Sequence, residues 1–353
     1  MSLEETAGMP PVKTRLPTVS VILPTLNSAR TLAECLAAIR AQQYPRECLE
    51  IVVADGGSTD DTLAVARRFE VDRIVENPLR TGEAGKAAAI AASTGELLAL
   101  IDSDNILPAP DWLSRLVAPF ADPGVFASEP LCYERRACDP TLTRYFALLG
   151  MNDPLCLFVG NYDRYCAVTG RWTGLDVAVE DRGDYLLARL SPEAVPTVGA
   201  NGCLIRRAVL KDLEWTPYYF DIDIIQQAVA SGHCGFAKVK CGIVHLYAGH
   251  LRDFARKQDR RIRDFLHFSR ERQRSYPWKR RGTTGRVLRF CAMTVTVLPL
   301  LVQMARGARR VPDRAWFCHL PVCWITLWCY GRAVLLGAIT GRRGVASRDN
   351  WKG

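Results

Sequence analysis

The chain lacks a leader-like start: Met1 to Pro17 is polar, contains prolines and has no apolar centre, so residues 1–17 read as a flexible tail. Its 13 cysteines are an odd number without the paired spacing of a zinc site, which argues against a structural zinc and against a disulfide framework. The expectation is a catalytic body facing the reducing cytosol. Zinc-finger spacing and RNA-recognition signatures are missing too, so the chain's positive charge is not expected to serve nucleic acid. There is no long internal repeat and no low-complexity domain. What remains is 353 residues, 48% of them hydrophobic, enough for one large α/β domain and a smaller appendage.

Within that domain the most telling stretch is Leu97 to Ile101, an apolar run that reads as a buried strand and ends in Asp102-Ser103-Asp104. Alternate carboxylates at a strand's end suit a divalent cation holding a phosphate, because ligands sit beyond the carboxyl ends of strands in open α/β sheets. A polar turn with a helix cap would read the same way. The upstream sequence separates the two readings. Val19 to Pro24 is a short strand ending in Thr25-Leu26-Asn27-Ser28, followed by a helix with Leu32, Leu36 and Ile39 on one face. Leu49 to Ala54 is a second strand, ending in Asp55-Gly56-Gly57-Ser58-Thr59-Asp60. A third polar loop, Gly82 to Lys86, opens an Ala-rich helix. This βαβα order brings each polar turn to one edge of a parallel sheet, as a nucleotide crevice requires.

Taken in order, Pro24-Thr25-Leu26-Asn27, the Asp55 run, Gly85-Lys86-Ala-Ala-Ala and Asp102-Ser-Asp104 resemble the family-2 glycosyltransferases of GT-A fold. The resemblance is strongest over the first third of the chain. It implies a Rossmann-like α/β domain for nucleotide-diphospho-sugar transfer, with donor contacts from Pro24, Thr25, Asn27, Asp55, Lys86 and Asp102. It further implies Mg²⁺ or Mn²⁺ on Asp102 and Asp104, with His245 as a third metal or phosphate ligand. The glycines of Gly199-Ala200-Asn201-Gly202 suit close approach of a sugar or phosphate, which adds Asn201 to the donor residues. Gln258 and Arg261 resemble part of the Gln-x-x-Arg-Trp motif of processive synthases, with Ile262 in place of Trp, and are expected to face the donor.

An inverting transfer needs a base for the acceptor's proton. The family's acidic pair aligns on Phe220-Asp221-Ile222-Asp223, giving Asp221 as the base and Asp223 as a supporting carboxylate, although Phe220 replaces the usual Glu. Glu180-Asp181 looks superficially more like that pair, but precedes the Gly-Ala-Asn-Gly loop that the pair should follow, and reads instead as a helix N-terminus. Residues 131–198, rich in Tyr and Trp, occupy the acceptor side.

The boundaries expected are a catalytic domain over 18–249, a basic amphipathic helix and linker over 250–286, and a hydrophobic helical region over 287–353. Residues 252–290 hold 14 Lys or Arg against 4 Asp or Glu, a net +10 on a chain whose total is +9. Concentrated charge of this kind suits an anionic surface. Leu251, Phe254, Gln258, Ile262, Phe265 and Leu266 fall near one side of this helix. Two apolar segments follow, Phe290–Met304 around Pro299 and Ala315–Thr340 around Pro321 and Arg332, the second long enough to span. Basic clusters flank both segments on every side: Lys279, Arg280 and Arg281; Arg306, Arg309, Arg310 and Arg314; Arg342, Arg343 and Arg348. The pattern favours interfacial or re-entrant helices on the cytoplasmic face of a membrane over two independent spans, with a transmembrane hairpin as the alternative.

The combined expectation is a membrane-associated transferase acting on a lipid-linked, polyprenyl-phosphate or glycan acceptor. The alternatives are a GT-A-like nucleotidyltransferase, which should carry a Gly-rich triphosphate loop that is missing here, and a noncatalytic nucleotide-binding membrane scaffold.

Overall fold

Each apolar run in the first hundred residues becomes a parallel strand, and each amphipathic run a helix packed on it. The computed structural model describes residues 15–271, 274–278 and 282–339. Most of the expected tail (residues 1–14), the cluster Lys279–Arg281, and Thr340 with the final basic cluster lie outside the described residues. The first elements are β1 (Val19–Thr25), α1 (Ala29–Arg40), β2 (Leu49–Asp55), α2 (Thr62–Arg68), β3 (Arg73–Glu76), α3 (Gly82–Ala92) and β4 (Leu97–Ile101). These strands pair in parallel in the order β3-β2-β1-β4. Val19, Ile22, Leu23, Ile51, Val52, Val53 and Leu98 are fully buried, as strands covered by helices on both faces require.

The second half of the sheet is mixed. β5 (Asn105–Ile106), α4 (Trp112–Val117), β6 (Val125–Glu134), α5 (Thr141–Leu149) and α6 (Leu155–Val159) lead to β7 (Ala178–Asp181), β8 (Tyr185–Arg189) and β9 (Asn201–Arg206). After α7 (Asp221–Ala230) comes β10 (Gly235–His245). The ten-stranded sheet runs β3-β2-β1-β4-β9-β6-β10-β8-β7, with β5 pairing β10. β9 enters antiparallel beside β4, while β10 and β6 pair in parallel. The last strand in chain order therefore delivers His245 to the edge already occupied by the Asp102 turn: His245 pairs directly with Asn105.

The Glu180-Asp181 stretch is not a helix start. Both residues lie on β7, in an exposed hairpin with β8 at the far edge of the sheet, where Gly183 at φ 78° serves the turn. Asp181 pairs with Lys240 and Glu180 with Arg182.

The remaining helices are α8 (Leu251–Glu271), α9 (Thr283–Thr296), α10 (Leu298–Arg310) and α11 (His319–Ile339). They share a core with residues 131–198: Tyr145, Phe146 and Tyr162 pack with Phe254, Trp316 and Val322. Arg310 donates to the carbonyls of Ala167 and Val168, and Asp313 pairs with Arg135 and Arg144. The helices that follow the sheet are thus packed onto it and not held apart as a separate unit. Among the described residues no single helix is long and apolar enough to cross a membrane, although α9 and α10 together have the length and composition of one broken span. In the second segment the chain becomes α-helical from His319, which is buried, and Arg332 lies within the helix, ion-paired to Asp259 of α8. The first segment is broken where expected. α9 and α10 meet at 93°, because Pro299 lacks the N–H needed to continue the helix, and Val297 turns the chain at φ 62°.

Candidate functional site

The site is assembled where β1, β2 and β4 end. Thr25 donates to Asp55 Oδ1 at 3.0 Å, while Asp55 Oδ2 accepts from the backbone of Gly57 at 2.9 Å and of Ser58 at 2.8 Å. Burial alone would raise the Asp55 carboxyl, but these donors, with Ser58 Oγ, hold it below the usual range. Asn27 takes the left-handed conformation at φ 49° and its Oδ1 accepts from the backbone of Thr59 at 2.8 Å. The two turns are thereby stitched into one pocket wall. Pro24 contributes by packing: a Cβ on Gly85 would lie 2.9 Å from Pro24 Cβ, so only glycine lets α3 start against this wall.

Beside it, Asn105 fixes the Asp102 turn. Its Oδ1 accepts from Asp102 N at 3.1 Å and its Nδ2 donates to Asn201 Oδ1 at 3.1 Å. Asn201 in turn donates to Tyr133 and accepts at its carbonyl from Arg164. Both ends of the Asn201 side chain are therefore engaged by protein, so the expected donor contact is a residue that positions Asp102 instead. Gly202 needs its φ of 84° and its missing Cβ for the ring of Trp112, 2.9 Å from where a Cβ would be, and not for a ligand.

Asp104 faces His245 Nε2 at 3.4 Å and Lys257 Nζ at 3.8 Å. Burial pushes its carboxyl up, but these two neighbours hold it low overall. Asp102 lacks such neighbours: burial drives it upward, Lys86 opposes, and Asp104 adds to the rise. Asp104 Oδ1 is buried without a well-formed hydrogen bond. Three carboxylates, Asp102, Asp104 and Asp221, thus meet two ammonium groups, Lys86 and Lys257, a balance that a divalent cation on the Asp-x-Asp pair fits. Among the described residues no group of three His, Cys, Asp or Glu is placed to hold a metal ion by itself. That suits a magnesium-like ion held by one or two carboxylates with the rest of its shell from substrate phosphates.

Across the crevice Asp221 opens α7, where a carboxylate suits the helix dipole. Its Oδ2 is ion-paired with Lys86, so the Lys86 ammonium is not open to solvent as a lone phosphate contact. Burial raises the Asp221 carboxyl and Lys86 partly offsets this. Asp223 does not share the site. It is buried, with one oxygen on Arg274 and the other accepting from Tyr276 N at 3.1 Å, because at two residues along a helix it points elsewhere. It anchors the chain that follows α8. Phe220, standing where the family has Glu, packs its ring 4.8 Å from Phe268 of α8 and under Arg274 at 4.0 Å. The departure thus docks α8 against the start of α7.

Gln258 is fully buried, donating to Thr326 of α11 at 3.0 Å and accepting from Arg261 at 2.7 Å. It is a strut between helices and not a donor contact. Arg261 donates to the carbonyl of Asn152 at 3.1 Å, and the Asn152 side chain meets His245 Nδ1 at 3.4 Å, so Arg261 supports the histidine from behind. The residues that the sequence reading missed are Asn105, Asn152 and Lys257. Lys257 carried one signal: it lies three residues after the buried Phe254 and four before Arg261, on the flank of α8's apolar stripe.

The chain resembles known proteins. It is 36% identical to glycosyltransferase AglE of Haloferax volcanii over 115 residues, covering 31% of this chain and 38% of that protein. It is 39% identical to an N-acetylglucosaminyltransferase of Mesorhizobium japonicum over 129 residues, 35% of this chain and 30% of the relative. The match thus spans well under half the length of either relative. In fold the chain is similar to the mannosyltransferase PcManGT of Pyrobaculum calidifontis, solved with GDP-Man and Mn²⁺, with a TM-score of 0.54 and 21% identity over 91% of this chain and 88% of that one. That likeness carries the GT-A architecture. The family model described as glycosyl transferase family 2 matches residues 20–213, from the second residue of β1 to the short helical turn after β9, and takes in the Asn27, Asp55 and Asp102–Asp104 turns: the chain belongs to glycosyl transferase family 2.

Proposed function

We propose that the chain transfers a sugar from a nucleoside-diphosphate donor to a lipid-linked, polyprenyl-phosphate or glycan acceptor, with inversion at the anomeric carbon. The observation that carries this is the convergence on one sheet edge of the Asp55 pocket, the Asp102–Asp104 pair with His245 and Lys257, and Asp221 with Lys86. Asn27, Thr25 and Asp55 suit the nucleoside. Asp102 and Asp104, through their carboxylates and with His245 beside Asp104, are the residues that would hold Mg²⁺ or Mn²⁺, which when bound would neutralise the charge growing on the departing diphosphate. Lys257, beside them, suits the same phosphates. The acceptor oxygen attacks the anomeric carbon from the Asp221 side, the bond from that carbon to the phosphate oxygen breaks with its electron pair, and Asp221 takes the hydroxyl proton. A phosphate acceptor is already ionised and asks less of the base.

Work at an anionic membrane surface is supported by the helices. Leu288, Leu298, Phe317, Trp328 and Leu335 expose apolar side chains between the start of α9 and the end of α11, and Arg289, Arg306, Arg309 and Arg314 stand exposed beside them. The likeness to curated glycosyltransferases supports the reaction class.

The test is a panel of nucleotide sugars titrated into detergent-solubilised protein by calorimetry, with and without Mg²⁺ or Mn²⁺. Metal-dependent binding of one donor, lost in Asp104→Ala, is the expected result. Binding of none by folded protein would turn the reading to a noncatalytic scaffold, and nucleoside triphosphate binding would turn it to nucleotidyl transfer. Sedimentation with vesicles containing anionic lipid tests the surface: Phe317→Ser with Trp328→Ser should release the protein, and unchanged sedimentation would remove these helices from that role.

A further inference from the structure

Lys86 and Asp221 are 135 residues apart and belong to the two walls of the crevice. Lys86 is 5% exposed, on the first turns of α3, which Thr81 caps. The backbone N–H of Tyr219 donates to Glu83 O at 2.9 Å, so the turn leading into α7 is tied to α3 and the pair is held at fixed separation. Lys86 has Asp102 and Glu83 as further anionic neighbours; burial works against its ammonium, and these three carboxylates more than offset that. Asp221 has one oxygen on Lys86 and the other buried without a hydrogen-bond partner.

This arrangement is poor for a base. The ammonium offsets part of the rise that burial gives the Asp221 carboxyl and so weakens it as a base, and one oxygen is screened from an incoming hydroxyl. A lysine is also a compact charge on a flexible four-carbon stem, able to change partners without moving its helix. A nucleoside diphosphate bound at Asp102 and Asp104 brings several negative charges to the same edge that Lys86 already borders.

We propose that Lys86 exchanges partners, holding Asp221 in the donor-free chain and the donor's diphosphate in the loaded one, so that Asp221 is freed to accept a proton only when a donor is in place. Lys86 is then a positioning residue for the base as well as a phosphate contact, and the donor binds productively before the acceptor. The inference rests on the nucleotide-sugar reading above. Its consequence is a competition: Asp221 and the diphosphate draw on one ammonium, so removing the carboxylate's charge should strengthen diphosphate binding.

The experiment is calorimetric titration of uridine, guanosine, thymidine, adenosine and cytidine diphosphates with Mn²⁺ into the full chain. The diphosphate that binds the wild type should bind Asp221→Asn about three- to tenfold more tightly, because the competing partner is gone. Lys86→Met should weaken it about tenfold, and adding Asp221→Asn to Lys86→Met should then restore nothing. Lys86→Arg, which keeps the charge if the buried Met variant does not fold, should retain most of the affinity and the response to Asp221→Asn. Wild-type binding with equal or weaker binding by Asp221→Asn would overturn the exchange and leave the donor reading intact. A wild type that binds none of the five would overturn the donor reading and the exchange with it.

Discussion

Glu129, Arg164, Asp163 and Lys238 form a closed group of two anions and two cations, whereas Asp102, Asp104 and Asp221 gather around Lys86 and Lys257, with His245 beside Asp104. In the closed group one Glu129 oxygen pairs with Lys238 and the other with Arg164, Arg164 reaches Asp163 at 3.1 Å, and every side chain but that of Asp163 is completely enclosed. Tyr133 and Trp172 cover the cations. In the open group the three carboxylates outnumber the two ammonium groups. Both groups are costly to bury, but only the second leaves charge for a ligand to complete. The closed group serves the open one: Arg164 holds the Asn201 carbonyl at 2.8 Å, Asn201 holds Asn105, and Asn105 holds the Asp102 turn.

The largest effect should come from the open group. Asp221→Asn is expected to cut the rate of transfer by about 10²- to 10⁴-fold for a hydroxyl acceptor while leaving the fold intact, as measured by single-turnover transfer and by the denaturation midpoint. Near-normal transfer would mean that the open group is not where the proton goes. The closed group should respond in the opposite way. Arg164→Met leaves Asp163 and one Glu129 oxygen buried without their cation and should destabilise the protein by about 3–5 kcal/mol in denaturant titrations. If stability held and only donor affinity fell, the contrast between the two groups would fail, and Arg164 would have to be counted with the site.

The parallel edge was legible because its signals are local: an apolar run of five or six residues, then a polar turn, repeated along the chain. Asp102 and Asp104 could be named on that basis and Asn27 and Asp55 through the family resemblance that the turns carry, and the positions of these turns at one edge follow from strand direction alone. The parts not legible depend on partners far away in sequence. Nothing near Asp223 announces that Arg274 and the Tyr276 backbone will occupy it, and nothing near Gln258 announces Thr326. Lys86 was visible as a basic residue at a helix start, but not as the partner of Asp221. Phe220 could be seen only as a departure, until Phe268 was seen to be packed on it.

A smaller effect separates a carboxylate held by neutral donors from those held by ammonium groups. Asp55 has its carboxyl held below the usual range, so the folded chain keeps it ionised at pH values where the unfolded chain takes up a proton. Its contribution to stability is fully present above the ordinary aspartate pKa of about 3.9 and is lost as pH falls through the lower folded value. Asp55→Asn should cost about 1–2 kcal/mol at neutral pH and flatten the acid side of the stability curve, read from urea midpoints between pH 6 and pH 3 at intervals of about half a unit. An unchanged acid slope would mean that the Thr25, Gly57 and Ser58 donors do not favour the ionised form.

The smallest effect is expected at the acidic pair on the opposite edge. Glu180 and Asp181 have the composition of the family's acidic motif, yet they stand on an exposed hairpin, with Glu180 paired to Arg182 at 2.8 Å and Asp181 to Lys240 at 2.7 Å. Exposed pairs of this kind contribute little, because water screens both partners and the long side chains lose freedom in meeting. Their distance from the crevice is a matter of topology: β7 is the terminal strand of the sheet, reached only after β10 and β8, while the donor turns sit on β1, β2 and β4. Glu180→Gln with Asp181→Asn should therefore leave donor affinity and the transfer rate where they were, measured beside Asp221→Asn in the same preparation. A loss of transfer in that double variant would show that an exposed hairpin carboxylate reaches the acceptor, and the burial of Asp221 at the start of α7 would then have to be explained by its pairing with Lys86 alone.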